Sequence, residues 1–215
     1  MIRIRVLLAE DHETVRQGLK LLIDSQSDME VVGEAANGQL AVQRAAALEP
    51  HVIVLDISMP EMNGLVATRA LRKATPDVAV VALTRYSDDA YVHELMSAGA
   101  SGYVLKQSAS SELLQAIRSA AAGRHYIDST LMQTGGDSFQ HRKNGRTPVP
   151  RLSEREKEVL RLMAVGHSNK EIATRLQISV KTVEVHKANA MRKLGLRGRI
   201  DIVRFALLQG WLQDP

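Results

Sequence analysis

The sequence contains no cysteine and few aromatic residues, which make up 3% of its 215 residues. The missing cysteine excludes disulfide scaffolds, thiol catalysis and zinc sites with Cys ligands. Long apolar runs are missing too, because the longest stretch without a charged residue is the eleven-residue segment Leu95–Leu105, too short to span a bilayer. Arg3 and Arg5 interrupt the apolar N-terminus, which therefore lacks a signal-peptide core. We expect a soluble, cytoplasmic protein.

Charge is unevenly distributed along the chain. Residues 1–123 carry 11 Lys and Arg against 15 Asp and Glu, whereas residues 124–215 carry 17 against 9. An acidic half joined to a basic half indicates a polyanionic partner for the second half only. Residues 133–150 are rich in Gly, Pro and polar side chains, which is typical of a linker. The sequence predicts a domain over 1–123, a linker over 124–150 and a second domain over 151–215.

The acidic half alternates β-branched apolar runs with helical patterns. The five runs cover residues 2–9, 31–35, 51–55, 78–83 and 102–105, and helical spacing of apolar residues separates them. Two runs, VIVL and VAVVAL, are apolar at every position, as in strands buried on both faces. We therefore predict an α/β fold with a doubly wound, parallel, five-stranded sheet.

Polar residues follow four of the predicted strands. Glu10 and Asp11 follow the first strand and Asp56 the third, while Thr84 and Lys106 follow the fourth and fifth. The carboxyl ends of parallel strands meet at one edge of the sheet, so these side chains should converge. Three crowded carboxylates repel each other unless a cation neutralises them, and a few oxygen ligands suit Mg²⁺.

The basic half has the pattern of a small helical domain. Ser153 with Glu156, and Ser168 with Glu171, form predicted capping boxes at the starts of two helices. Ser179 is the predicted N-cap of a third helix that ends at Leu194, and a fourth helix covers residues 200–209. Two short helices joined by a tight turn fit the major groove of DNA when the second is basic. The candidate groove-facing residues of that helix are Lys181, Thr182, Lys187, Arg192 and Lys193.

These motifs resemble a known family. Residues 3–122, with DH after Glu10, VIVLDISMPEMNGL around Asp56, and GYVLK ending at Lys106, resemble a receiver domain of two-component signalling. Residues 152–212, with LSEREKEVL, SNKEIATRL and KTVEVH, resemble a LuxR-type helix-turn-helix domain. The whole chain resembles a response regulator of the NarL/FixJ type, which implies a flavodoxin-like first domain and phosphorylation-controlled transcription.

The resemblance also implies roles for residues at the sheet edge. Asp56 would be the phosphoacceptor and a sensor histidine kinase the donor. Mg²⁺ would be held by Asp11, Asp56 and the backbone carbonyl of Ser58 directly, and by Glu10 through water. Lys106, Thr84 and Tyr103 would bind the phosphoryl group and switch with it.

In the second domain the resemblance implies double-stranded DNA as ligand and a homodimer on activation, with the last helix as a candidate contact. The implied DNA-binding residues are Asn169, Lys170, Ser179, Lys181, Thr182, Glu184, Val185, His186 and Lys187. Glu184 departs from the basic or small polar residue common at its position. Its carboxylate cannot bind phosphate and prefers a cytosine amino group.

Two other functions compete with this interpretation. One is a constitutive DNA-binding regulator whose receiver is unused. The other is a phosphatase with an aspartate nucleophile, but such enzymes need an acid two residues after the nucleophile, where this chain has Ser58. RNA binding is disfavoured because few aromatic residues are present to stack on bases. We predict that the protein is not an enzyme.

Overall fold

Strands and helices alternate through the first part of the chain. The computed structural model describes residues 3–87, 89–134 and 152–212, and the chain divides into the units Met1–Asp137 and Ser138–Pro215. The first unit contains β1 (Ile4–Ala9), α1 (Glu13–Asp24), β2 (Met29–Ala35), α2 (Gly38–Leu48), β3 (Val52–Asp56), α3 (Gly64–Ala74), β4 (Ala79–Thr84), α4 (Asp89–Ala98), β5 (Gly102–Leu105), α5 (Ser110–Ala121), β6 (Tyr126–Ile127) and α6 (Ser129–Thr134).

The strands form one parallel sheet in the order β2-β1-β3-β4-β5-β6. This confirms the predicted doubly wound parallel sheet. The strand order reverses between β1 and β3, so the connections after these two strands leave toward opposite faces of the sheet. A crevice forms at the carboxyl edge of such a switch point. Glu10 follows β1 and Asp56 ends β3, directly beside this crevice.

The sheet is buried on both faces by aliphatic side chains. Alternate residues of the central strands point to opposite sides, and every residue of β3 is buried. Val6 and Val54 pack in a cluster with residues of α1 and α5. Leu7 and Ile53 pack in a second cluster with residues of α2 and α3. This two-sided burial holds the strand ends, and the polar residues on them, in fixed positions.

The prediction of five strands was wrong by one. The described residues form a sixth strand, β6, in which Tyr126 pairs with Gly102 of β5. A two-residue strand is too short to show an alternating pattern, so periodicity could not reveal it. Both β6 and α6 lie within residues 124–150, the predicted linker, and residues 135–150 lie outside the described part of the chain.

The second unit contains four described helices, namely α7 (Glu154–Val165), α8 (Asn169–Leu176), α9 (Val180–Leu194) and α10 (Arg199–Leu208). Both predicted capping boxes are confirmed, and so is Ser179 as the N-cap of α9. The last helix runs one residue earlier than predicted at each end. Within the described ranges, no helix combines the length and apolarity needed to cross a membrane.

Candidate functional site

Two carboxylates are buried at the carboxyl edge of the sheet. Glu10 follows β1 and Asp56 ends β3, and each is only 1% exposed. Asp11, the next residue after Glu10, is less buried, with 24% of its side chain exposed. The structure therefore brings the three predicted acids to the same edge, with Asp11 nearest to solvent.

Lys106 is the cation that faces the buried acids. Its Nζ lies 2.7 Å from Oε2 of Glu10 and 2.9 Å from Oδ2 of Asp56. The backbone amide of Lys106 donates to the carbonyl of Thr84, which holds the residue after β5 against β4. The Lys106 ammonium thus partly neutralises the charge of both buried carboxylates. Burying such charges is tolerated only when they are paired and hydrogen-bonded.

The pKa of the Asp56 carboxyl is raised above its ordinary value. Burial is the main cause, and the nearby charge of Glu10 adds to it. The Lys106 ammonium and the Ser58 amide oppose the rise but do not cancel it. The Ser58 amide donates to Oδ1 of Asp56 over 3.1 Å. A further cation placed beside Asp56 would therefore favour its ionised form.

Four side chains form a group that could hold a metal ion. They are Glu10, Asp11, His12 and Asp56, and one ligand atom from each lies within 4.8 Å of all the others. Sequence reasoning did not include His12 in the site. Its position directly after two acids was the available sequence signal. Sequence spacing alone does not show that the His12 ring turns back toward those acids.

The backbone of Tyr86 connects the two predicted switch residues. Its amide donates to Oγ1 of Thr84 over 3.1 Å, and its carbonyl accepts from the Tyr103 hydroxyl over 2.7 Å. Thr84 and Tyr103 are both fully buried, so Tyr103 takes the inward position. The Tyr86 ring stacks on Tyr91 of α4 at a centroid distance of 4.6 Å. Sequence reasoning missed Tyr86, because this role depends on its backbone atoms.

The loop after Asp56 requires glycine at position 64. A Cβ on Gly64 would lie 2.5 Å from the carbonyl oxygen of Asp56, which real Cβ atoms do not tolerate. The Gly64 amide donates to the carbonyl of Ile57 over 3.0 Å. Glycine therefore lets α3 begin directly against the strand end that carries Asp56.

In the second unit, α8 and α9 form a helix-turn-helix. Gln177 ends α8 in the left-handed conformation, and Ser179 caps α9 by accepting from the Thr182 amide. The Ser179 and Thr182 hydroxyls also contact each other over 2.8 Å. These bonds fix the turn and the direction in which α9 leaves it.

The first half of α9 presents most of the predicted DNA-binding residues. Lys181, Glu184 and Val185 are exposed, while Thr182, His186 and Lys187 are half-buried. Val185 is 51% exposed, which is high for an apolar side chain on a helix that also contributes to the core. On α8, Lys170 is exposed and Asn169 half-buried. Exposed polar and apolar groups together are the means by which a helix reads base edges.

The sequence predicted that Lys193 and Arg192 face the groove, but in the structure both side chains have partners within the protein. Nζ of Lys193 donates to Oε2 of Glu156 over 2.7 Å, and Glu156 is 4% exposed. This ion pair ties the end of α9 to the first turn of α7. Arg192 donates to Oδ1 of Asn189 on its own helix. Helical spacing could not distinguish a buried pair from a solvent-facing lysine.

The Lys193–Glu156 pair should stabilise the second unit. We expect Lys193→Met to lower the free energy of unfolding by about 2 kcal/mol, because it leaves a buried carboxylate without its cation. Trp211 is the only tryptophan in the sequence and packs edge-on against Phe205, so its fluorescence reports on this unit. Lys181→Ala, at an exposed position of the same helix, is the control. Equal denaturation midpoints for Lys193→Met and wild type would contradict the assignment.

The same pair has a defined pH dependence. Burial raises the pKa of Glu156, but hydrogen bonds from Lys193 and the Ser153 amide outweigh it, so the pKa lies below its ordinary value. A carboxyl whose pKa is lowered by folding contributes stability above its unfolded pKa, about 4.3, and loses this contribution as the pH falls through the folded pKa. The stability difference between wild type and Lys193→Met should therefore shrink in acid.

The first unit has a parallel sheet with acids at its carboxyl edge, and the second is a helix-turn-helix. Together they define a class of two-domain proteins in which a receiver-like domain is joined to a DNA-binding module. Comparison with known families agrees. Residues 6–118 match the response regulator receiver domain, and residues 150–206 match the bacterial regulatory proteins of the luxR family. The chain belongs to the LuxR-type response regulators, which are phosphorylation-controlled, DNA-binding transcriptional regulators and not enzymes.

Two relatives match almost the whole chain, and a third matches its greater part. The oxygen regulatory protein NreC of Staphylococcus aureus is 39% identical, over 97% of this chain and 99% of NreC. The structure of RcsB from Salmonella enterica bound to a promoter with the phosphomimetic BeF3− has a TM-score of 0.80 at 27% identity, covering 96% and 99% of the two chains. A LuxR-family regulator from Aurantimonas is 34% identical over 61% of this chain and 94% of its own, with a TM-score of 0.59.

Proposed function

We propose that Asp56 accepts a phosphoryl group from a sensor histidine kinase, and that the phosphorylated chain binds double-stranded DNA as a homodimer. The observation that carries this proposal is the contact of one ammonium, Lys106, with both Asp56 and Glu10 at the carboxyl edge of the sheet. A carboxylate held beside a cation at this edge is suited to receive a transferred phosphoryl group.

The transfer forms one bond and breaks one. A carboxylate oxygen of Asp56 forms a bond to phosphorus while the bond from phosphorus to the kinase imidazole nitrogen breaks, and that nitrogen keeps the electron pair and is free to take a proton. Such transfers depend on positioning and on neutralising the phosphoryl oxygens. Lys106 supplies a positive charge within 2.9 Å of the acceptor. The Ser58 amide holds the other oxygen of Asp56 and so orients the carboxylate.

We assign Mg²⁺ as the metal of this site. Asp11 and Asp56 would be direct ligands with the Ser58 carbonyl, and Glu10 would act through water. The donor set fits the ion, because carboxylate oxygens gather within 4.8 Å and Mg²⁺ prefers a few oxygen ligands and retained water. The raised pKa of Asp56 also fits, since a divalent cation would favour its ionised form. When bound, Mg²⁺ neutralises charge on the transferred oxygens.

Thr84 and Tyr103 would carry the phosphorylation signal away from Asp56. A phosphoryl group offers new acceptors to the Thr84 hydroxyl. Because the Tyr86 amide donates to Thr84 and the Tyr86 carbonyl accepts from Tyr103, movement of Thr84 reaches Tyr103 through the backbone of one residue. The stack of Tyr86 on Tyr91 extends this connection to α4.

DNA binding is assigned to α9 with contributions from α8. The residues are Asn169, Lys170, Ser179, Lys181, Thr182, Glu184, Val185, His186 and Lys187. The exposed side chains on the first half of α9 support this assignment, and so does the promoter-bound Salmonella RcsB structure. We place Lys181 and Lys187 against phosphates and Val185 against a thymine methyl group. Ser179 would contribute mainly as the cap that positions α9.

A homodimer would bring two copies of α9 to the DNA. One recognition helix contacts too few base pairs for useful specificity, and two-fold operators need two-fold proteins. On α10, Ile200 is 68% exposed and Leu207 is 48% exposed, which supports this helix as the contact between copies. We retain 1–123 as the receiver domain, 124–150 as the connecting region that begins with β6 and α6, and 151–215 as the DNA-binding domain. A regulator of bacterial genes acts in the cytoplasm.

The metal assignment makes a direct prediction for Asp11. We expect Asp11→Asn to weaken Mg²⁺ binding, followed by isothermal titration calorimetry, by about tenfold or more, because one anionic ligand of a hard cation is lost. Phosphorylation by acetyl phosphate at limiting Mg²⁺ should fall in parallel. Asp77→Asn, at an exposed position before β4, is the control. Identical Mg²⁺ titrations for Asp11→Asn and wild type would overturn the assignment.

A further inference from the structure

An imidazole nitrogen lies against the acidic site on the side away from Lys106. Nδ1 of His12 is 2.9 Å from Oδ1 of Asp11 and 3.1 Å from Oε1 of Glu10. Lys106 contacts the other oxygen of Glu10, Oε2. The Glu10 carboxylate is therefore shared, with the ammonium on one side and the imidazole on the other.

A single proton does not satisfy this arrangement well. Nδ1 carries at most one hydrogen, and it faces two carboxylate oxygens at nearly equal distances, of which Oε1 of Glu10 also accepts from the His12 amide. Ligand atoms about 2.1 Å from an octahedral cation lie about 3.0 Å from their nearest neighbours in the shell. The 2.9 Å between Nδ1 and Oδ1 of Asp11, a direct ligand in the proposed site, matches that spacing.

The buried wall of the site offers a further carboxylate oxygen. Oδ2 of Asp56 is buried, and the Lys106 ammonium lies 2.9 Å from it. Asp56 belongs to the same group of ligand-bearing residues as His12. A carboxylate oxygen has two lone pairs, so Oδ2 can pair with Lys106 and still serve as a metal ligand.

We propose that His12 is a ligand of the divalent-cation site and extends its preference from Mg²⁺ toward cations that bind imidazole, such as Mn²⁺ and Ni²⁺. This inference rests on the proposed function, because it concerns the metal site assigned there. Imidazole is a good ligand for transition metals, whereas Mg²⁺ prefers oxygen. The His12 side chain is 59% exposed, so a cation at Nδ1 keeps access to water and to a phosphodonor.

His12→Gln is a suitable test variant. His12 is the N-cap of α1, but its side chain makes no capping hydrogen bond, so the substitution removes the imidazole without removing a cap. Glutamine keeps a polar side chain of similar length at this largely exposed position. His125→Gln removes an exposed imidazole from the same unit, away from the acids, and is the matched control.

The first measurement detects nitrogen coordination directly. Electron spin-echo envelope modulation of Mn²⁺ bound to the full-length protein should show coupling to a ¹⁴N nucleus. The coupling should persist in His125→Gln and disappear in His12→Gln. Bound Mn²⁺ without nitrogen coupling in the wild type, or with coupling that survives in His12→Gln, would overturn the role of His12.

The second measurement compares affinities by calorimetry. His12→Gln should lower Ni²⁺ affinity by about tenfold or more and change Mg²⁺ affinity by less than about twofold. Equal losses for both ions would show a structural effect and overturn the selectivity. Mg²⁺ binding that Asp11→Asn leaves unchanged would instead contradict the metal site itself. The two failures are therefore distinguishable.

Discussion

Asp56→Asn is expected to abolish phosphorylation by acetyl phosphate in the presence of Mg²⁺. The substitution replaces a nucleophilic carboxylate by an amide of nearly the same shape. The Ser58 amide can still donate to Oδ1, and Lys106 keeps its ion pair with Glu10, so the surrounding contacts survive. An amide oxygen carries no charge and does not form a stable acyl phosphate. The bound phosphoryl group should be counted by intact mass and tested for release by hydroxylamine.

The control for this experiment is Asp77→Asn, which should be phosphorylated like the wild type. Circular dichroism of each variant verifies that the sheet is intact. We do not expect Asp56→Asn to be strongly destabilising. Burial already disfavours the ionised form of the Asp56 carboxyl, and the neutral amide has nearly the same size. Hydroxylamine-sensitive phosphate on Asp56→Asn to the wild-type level would mean that another residue is the acceptor.

Val185→Glu is expected to weaken specific DNA binding by about 100-fold, or about 2.7 kcal/mol. Val185 is 51% exposed on α9, so the added carboxylate should not disturb the core. Placed in the major groove, the carboxylate would lie near phosphates and replace an apolar contact with a thymine methyl group. Fluorescence anisotropy with a DNA fragment selected by the wild-type protein measures the loss.

Val165→Glu is the matched control, since it adds the same charge at an exposed valine at the end of α7. We expect it to weaken DNA binding much less, through net charge alone. Comparable losses for the two variants would show that general repulsion, and not the position on α9, accounts for the effect. Undiminished binding by Val185→Glu would place α9 outside the groove.

The sheet and its acidic edge were predictable from the sequence because both follow from local patterns. Fully apolar runs such as VIVL are typical of central parallel strands, and parallel strands bring their carboxyl ends together. Asp56 and Lys106 could therefore be placed at one edge although 50 positions separate them. The structure adds that Lys106 contacts Glu10 as well as Asp56.

Other features could not be predicted, because they depend on contacts between distant or backbone atoms. The two residues of β6 are too few to show a period. Lys193 follows the same helical spacing as a solvent-facing lysine, and only the packing of α9 on α7 brings it to Glu156. The orientation of the His12 ring toward Glu10 and the two hydrogen bonds of the Tyr86 backbone carry no residue-type signal.

The central claim is that phosphorylation at Asp56 controls DNA binding by the same chain. The most direct measurement is the affinity for a selected DNA fragment, with and without acetyl phosphate and Mg²⁺, for wild type and Asp56→Asn at one salt concentration. We predict that the phosphodonor raises the wild-type affinity by about tenfold or more, within the usual range of coupling between sites, and leaves Asp56→Asn unchanged. Equal wild-type affinity in both conditions would contradict the account and indicate a constitutive DNA-binding regulator.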